Sequence, residues 1–257
     1  MTFLPGTSGD DNLPGTAEAD TILGDIGNDT ITGAAGNDLL SGGEGNDSIN
    51  TGAGDDTVFG GTGDDVVRGM AGQDVVIAGA GNDDIQWNDP IGDVVSGDEG
   101  NDTIVGGNTA ADTIFGGDGD DLIRGFFTSP EEATAADLLL GDAGNDVVIG
   151  GNAADWIEGG DGNDTLTGHD GADTFVFRPF LAVDRGFGND IITDFDPSED
   201  VVQLIGLGEG NDPLAALRDT PQGAVLDVGG GLGGGGSSVL FLGRVAAEFS
   251  ANDFLVT

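Results

Sequence analysis

The sequence predicts an all-β chain: a right-handed parallel β-roll, formed as a two-sheet solenoid of about nine coils with a C-terminal β-rich cap. Three observations lead there. A nine-residue phrase, stated cleanly by residues 42–50 (GGEGNDSIN), returns at 60–68 (GGTGDDVVR), 116–124 (GGDGDDLIR) and 159–167 (GGDGNDTLT). One aspartate keeps its place in that phrase eighteen times between residues 6 and 176, and an apolar side chain always follows two residues later. Fifty-one glycines in 257 residues supply turns at that same interval.

Each repeat divides into a six-residue glycine-rich turn and a three-residue x-apolar-x tail. The tail is short enough to be only a strand with one side chain inward and two outward. The inward series is Leu13, Ile22, Ile31, Leu40, Ile49, Val58, Val67, Val76, Ile85, Val95, Ile104, Ile114, Ile123, Leu139, Val148, Ile157, Leu166 and Phe175. In the turn, glycine admits positive φ and lets carbonyls converge with no Cβ between them. Two turns and two strands make a coil, so stacked coils form two parallel sheets face to face, and like turns recur eighteen residues apart. One buried side chain per nine residues is a thin core, which points to a structural metal.

The available ligands are carboxylates and turn carbonyls, with no cysteine and one histidine, which selects a hard cation. Calcium takes six to eight oxygens in flexible geometry, and magnesium demands a tighter octahedron. About eight to ten Ca2+ ions in all are therefore expected between neighbouring turns, most of them on one edge of the roll. On the odd edge, Asp11, Asp29, Asp47, Asp65, Asp83, Asp102, Asp121, Asp146 and Asp164 all keep the turn's third glycine, as in Gly27, Gly45, Gly63, Gly81, Gly100, Gly119, Gly144 and Gly162. These residues are the expected metal ligands there. On the even edge only Asp38, Asp56 and Asp74 lie in well-formed neighbouring turns, and the turns of Asp20, Asp93, Asp112, Asp137, Asp155 and Asp173 are degenerate. The irregularities (Trp87, the extra residue at 108–111 and the insertion 126–136) all fall on that edge, so its ladder is expected to be interrupted.

Even repeats also carry most of the outward apolar residues: Leu23, Leu39, Phe59, Val75, Ile77, Val94, Phe115, Leu138, Leu140, Trp156 and Val176. The favoured expectation is that the insertion or the C-terminal segment covers them; the alternative is a face for self-association or a partner. After Phe177 the period stops, which sets the expected division into a calcium-binding roll at 1–177 and a capping segment at 178–257. Ordinary strands are expected at 191–195, 201–207, 224–228 and 239–242, with a short helical turn after Asn211-Asp212-Pro213. Residues 229–236 (GGGLGGGG) match GxGxxG trivially and read as a loop, since no βαβ context surrounds them.

Forty-eight acidic residues against six basic ones give a net charge of −42. That balance excludes a phosphate-binding basic groove, hence nucleic acid, and excludes electrostatic adhesion to an anionic membrane. No apolar run approaches spanning length, so no membrane insertion is expected. The first residues lack both the basic and the apolar regions of a signal peptide. Zero cysteines remove disulfides and thiol catalysis.

Residues 168–177 (GHDGADTFVF), 189–196 (NDIITDFD), 199–204 (EDVVQL) and 252–257 (NDFLVT) complete a resemblance. The chain resembles the repeats-in-toxin (RTX) calcium-binding family, and in particular the C-terminal β-roll of serralysin-type secreted metalloproteases. The resemblance implies that the nonapeptides bind calcium and that a type I (ABC) exporter reads the uncleaved C-terminus. Asp253-Phe254-Leu255-Val256 matches the family's acidic-then-apolar ending, with Thr257 extra. The family's catalytic half is missing: the single histidine, His169, sits in a degenerate turn, so HExxH cannot exist, and no GxSxG is present. The expected function is a secreted, extracellular, non-catalytic protein that folds on meeting calcium. The alternatives are a non-catalytic module of a larger exoenzyme, an adhesin or surface binder, and an enzyme that uses the roll as scaffold.

Overall fold

The structure, a computed structural model, describes every residue except 88, 127, 179–186, 207–211 and 229–235, and leaves aside the side chain of Glu131. Most of the 229–236 loop, Leu207, Asn211 and Phe127 of the insertion thus lie outside the described residues.

Among the described residues the chain forms two sheets that share one core, with only four residues in an α-helix. The first, of 12 strands, runs from Phe3–Pro5 through Thr21–Ile26, Leu39–Glu44 and onward to Thr174–Phe177, Val201–Leu204 and Phe254–Val256. The second, of 13 strands, begins at Asn12–Pro14 and Thr30–Ala35 and takes every alternate strand. Parallel register pairs like positions of successive coils, as in Ile22 with Leu40 and Ile31 with Ile49. The three-residue strand expected from the repeat is exceeded in the first sheet, where most strands run six residues into the turn and point two positions inward, one apolar and one glycine, as Ile22 and Gly24, or alanine, as Ala78. All eighteen inward residues are buried; Leu13 in the first coil is the most exposed at 8%.

The solenoid continues beyond Phe177, to about ten turns. Asn189–Ile192 pairs parallel to Thr165–Thr167, and Val201–Leu204 parallel to Thr174–Phe177. The far end is then closed. Ser237–Leu242 pairs parallel with Asn189–Ile192 and antiparallel with Gly223–Val228, which in turn pairs with Leu217–Asp219. The helix Pro213–Ala216 is capped by Asp212, whose Oδ1 accepts from Leu214 N at 3.0 Å. Phe195, Phe241 and Phe249 stack at 4.7–5.4 Å between centroids, with Phe175 and Phe254 beside them. Apolar packing of this kind holds the end without needing the turn aspartates.

The described residues of the insertion do not cover the apolar outer face of the first sheet. They lie along the even-edge turns, where Thr134 N donates to Asn108 O, Asn152 N to Pro130 O, and Phe126 meets His169 edge-on at 6.1 Å. The C-terminal strands are spent on the end of the roll. Leu39, Phe59, Val75, Ile77 and Val94 accordingly remain 38–41% exposed, although Val176, further along, is buried. No helix among the described residues is long and apolar enough to cross a membrane.

Truncating the core should be costly because each coil has so little of it. Ile104→Ala, at a fully buried position, is expected to lower unfolding free energy by about 2–5 kcal/mol in urea titrations with saturating calcium. Val94→Ala, on the outer face, should change it by less than about 1 kcal/mol.

Candidate metal centre

From the second coil onward, each repeat aspartate sits at the end of a turn with its carboxylate reaching back to the preceding coil. Its Oδ1 accepts from the backbone N–H of the corresponding aspartate one coil earlier. Asp29 N donates to Asp47 Oδ1 at 2.7 Å, Asp47 N to Asp65 at 2.7 Å, and Asp102 N to Asp121 at 2.7 Å. The even edge carries the same ladder through Asp38, Asp56, Asp74, Asp93, Asp112, Asp137, Asp155 and Asp173. The residue before the aspartate forms a second ladder in the opposite sense: Asn46 N donates to Asn28 Oδ1, Asp64 N to Asn46 Oδ1, and Asn82 N to Asp64 Oδ1. The Asn-Asp and Asp-Asp pairs of the phrase thus tie every coil to the coil on each side.

The other carboxylate oxygen separates the turns into two classes. Among the described residues, thirteen buried aspartates have an Oδ2 with no hydrogen-bond partner. Nine of them run unbroken along the odd edge (Asp29, Asp47, Asp65, Asp83, Asp102, Asp121, Asp146, Asp164 and Asp190), and four (Asp38, Asp56, Asp93 and Asp173) lie on the even edge. In six others a protein donor occupies the position. Thr7 and Thr16 each give Asp11 and Asp20 both an N–H and a hydroxyl at 2.6–2.9 Å. Gly107 N reaches Asp112, Gly151 N reaches Asp155, and Asp196 N reaches Asp200, all at 2.7–2.8 Å. Trp87 donates its indole Nε1–H to Asp74 Oδ2 at 3.1 Å.

Backbone conformation four residues before the aspartate accounts for most of this division. Eleven of the unpartnered aspartates follow a residue with positive φ at that place, and glycine fills six of them, such as Gly43 at 117°. The other five are Asp25, Ala34, Asp98, Asp142 and His169, at 70–83°, and these are all of the non-glycine residues with positive φ among those described. Left-handed conformation there turns the N–H away from the carboxylate, a strained choice for an L-residue. Thr7, Thr16, Gly151 and Asp196 are not left-handed, and their N–H groups close on the oxygen. Asp93 stands apart: its counterpart, Asp89, is not left-handed and yet leaves Oδ2 free. The first turn glycine sits directly over the unpartnered oxygen: a Cβ at Gly42 would lie 2.1 Å from Asp47 Oδ2. The third glycine lets coils approach, since a Cβ at Gly45 would lie 2.0 Å from the carbonyl oxygen of Gly27.

Burial without a counter-charge pushes these carboxyls up, to about 6 at Asp47, Asp83, Asp102, Asp121 and Asp164 and about 7 at Asp56 and Asp65. It pushes Asp93, Asp146 and Asp173 to about 8 and Asp190 to about 9. Asp20 behaves oppositely: burial works to raise it, but the hydroxyl and N–H of Thr16 and the N–H of Thr2 bring it down to about 2. The edge donor set is carboxylate and carbonyl oxygen, and no three His, Cys, Asp or Glu side chains converge among the described residues. A cation here would draw its remaining ligands from turn carbonyls, which suits a hard ion.

The sequence-expected residues Asp29, Asp38, Asp47, Asp56, Asp65, Asp83, Asp102, Asp121, Asp146 and Asp164 all lie in the unpartnered class. Asp11 and Asp74, expected with them, have Oδ2 held by Thr7 and by Trp87. Asp190 was missed because residues 178–186 break the period, although Gly188-Asn189-Asp190-Ile191-Ile192 preserves the turn ending and its apolar residue. Asp200-Val201-Val202 likewise keeps the triplet, and Asp173 N donates to Asp200 Oδ1 at 3.0 Å.

Comparison with known proteins bears on the same residues. The family profile of the RTX calcium-binding nonapeptide repeat (four copies) matches residues 5–40, 32–67, 59–85, 96–125 and 149–177. Among solved structures, the extracellular lipase LipA from Serratia marcescens is similar at 20% identity and TM-score 0.44, over 82% of this chain and 40% of the lipase. The AlgE6R2 subunit of the Azotobacter vinelandii mannuronan C5-epimerase is similar at 30% identity and TM-score 0.41, over 56% of this chain and 92% of that subunit. The AlgE6R3 subunit of that epimerase aligns at 22% identity and TM-score 0.22, over 97% and 80%. The chain thus spans well under half of the lipase. No curated protein matches.

Raised carboxyl values fix the sign of the pH response of the metal-free chain. The folded form binds protons more tightly than the unfolded form, so stability present below the ordinary 3.8 is lost as pH rises through about 6 to 9. Metal-stripped protein should show strand circular dichroism near pH 4 and lose it by pH 9. Adding calcium near pH 5, where the stripped chain is still folded with these carboxyls protonated, should release protons, measurable as a buffer-dependent heat of binding.

Proposed function

The chain belongs to the RTX calcium-binding nonapeptide repeat family, and from that we propose a secreted, non-catalytic β-roll that stays unfolded in the cell and folds on meeting extracellular calcium. The single observation that carries this reading is the set of thirteen buried, unpartnered aspartate oxygens. A buried carboxylate with no donor costs several kcal/mol, and a divalent cation beside it removes that penalty and favours the ionised form. Each ion would take Oδ2 oxygens and turn carbonyls from neighbouring coils, between Asp29 and Asp190 on one edge and at Asp38, Asp56, Asp93 and Asp173 on the other. The turns of Asp11, Asp20, Asp74, Asp112, Asp155 and Asp200 would bind none, because protein N–H groups already hold the oxygen.

With external calcium about tenfold above each Kd, a site adds roughly 1.4 kcal/mol. Eight or nine such sites add roughly 11–13 kcal/mol, about the whole stability of a domain. Calcium alone can therefore decide whether the chain folds. Without it, a chain of net charge −42 repels itself and stays extended, which suits passage through a type I exporter that reads Asp253-Phe254-Leu255-Val256. In the folded state that ending is the last strand of the first sheet, with Asp253 buried, so the exporter would read it before folding.

A second reading rests on the exposed row Leu39, Phe59, Val75, Ile77 and Val94: the folded roll contacts another copy or a surface through this face, as a module of a larger exoenzyme or an adhesin would. Sedimentation in calcium decides it, since Phe59→Ser with Ile77→Ser should abolish concentration-dependent association. Identical sedimentation of wild type and variant across concentrations would remove this reading.

For the main reading, metal-stripped protein at pH 7.5 should lack strand dichroism and regain it cooperatively with calcium; a β-rich spectrum that persists in excess chelator would sink it. Asp65→Asn should reduce the calcium count by about one and weaken calcium-dependent stabilisation, whereas Asp155→Asn should leave the count unchanged. An unchanged count in Asp65→Asn would separate the ladder from the metal.

A further inference from the structure

We infer that the first coil is a terminator, a cation-free end piece that stops the two sheets from being extended by a second copy of this chain. Four residues carry the inference: Pro5, Thr7, Pro14 and Thr16.

The first strands of the two sheets, Phe3–Pro5 and Asn12–Pro14, are each paired on one side only. Gly6 N donates to Leu23 O and Thr21 N to Thr2 O, so Thr2, Leu4 and Gly6 direct their backbone groups to the second coil. By the alternation of a parallel ladder, Phe3 and Pro5 face the open end. In the second sheet Gly15 N donates to Thr32 O and Thr30 N to Asp11 O, so Asn12 and Pro14 face it. Of the four strand positions that face outward, two are prolines and offer no N–H. Pro5 is in register with Leu23 and Pro14 with Thr32, and no later coil has proline in either place. Proline on an exposed sheet edge blocks strand addition.

The two turns of this coil are closed in the same manner. Sequence Leu-Pro-Gly-Thr, then three residues and Asp, occurs at 4–11 and again at 13–20. Thr7 and Thr16 use both N–H and hydroxyl on the aspartate that follows, where thirteen later turns leave the oxygen free. A copy stacked here would find neither strand donors at Pro5 and Pro14 nor an open carboxylate with which to share a cation. Both edges and both sheets are shut in one coil. The far end is covered differently, by the hairpin and the phenylalanine cluster.

The test uses the full chain in saturating calcium. The variant Pro5→Val, Thr7→Gly, Pro14→Val, Thr16→Gly should sediment as a dimer joined through the two first coils, dispersed by chelator, at concentrations where wild type forms none. A folded variant, with wild-type dichroism per residue, that sediments as wild type would overturn the inference. A second arm covers a variant that folds poorly. An added copy of residues 42–59, placed ahead of Phe3, should exchange amide hydrogens at unstructured rates on the native first coil. On a first coil carrying only Pro5→Val and Pro14→Val, exchange should be at least about tenfold slower. Protection of the added coil on the native first coil, or none on the substituted one, would also overturn it.

Discussion

A carboxylate sealed between two coils, one oxygen held by a neighbouring backbone and the other facing no protein donor, is the constraint on which this roll depends. Oδ1 supplies the vertical spacing, because each N–H along the edge is met by the next aspartate up. Oδ2 supplies the condition for stability, because it is buried whether or not anything arrives to meet it. A thin core of one side chain per nine residues leaves little to offset that cost. A structure of this kind is therefore coupled to its solution in a way that a thick hydrophobic core is not.

The two edges treat the same problem differently. The odd edge leaves the second oxygen open without interruption from Asp29 to Asp190. The even edge repeatedly fills it from within, by an indole at Trp87 or by backbone N–H groups at Gly107 and Gly151. These substitutions coincide with the places where the repeat is irregular, because an N–H can close on the carboxylate only where the turn leaves its left-handed path. Where such a donor is present the turn is self-contained, but Asp93 and Asp173, in turns as irregular, stay open with Asp38 and Asp56, so the even edge meets only part of its need from within.

Much of this was legible in the sequence. The Asp-x-apolar triplet identified eighteen core positions from Leu13 to Phe175, and missed Ala78 and Trp87, which the longer strand and the irregular turn bring inside. The period also set the pairing of strands eighteen residues apart. Less legible was whatever depends on backbone angle: nothing in the letters of GTSGDD announces that Thr7 will satisfy Asp11 where Asp25, at the same place in GDIGND, leaves Asp29 open. The ladder through Asn28, Asn46 and Asp64 was hidden in a position that reads as generic turn polarity. Asp190 was lost because a strict count of nine cannot see across an insertion, although the local phrase survives.

The indole of Trp87 gives the roll an optical property as well as a structural one. The chain has two tryptophans, one sealed against a carboxylate in mid-roll and the other, Trp156, half-buried on the outer face. Their emission should differ in colour and in quenching by solutes. Melting of the central coils thereby acquires a fluorescence signature of its own, distinct from any event at the surface of the first sheet.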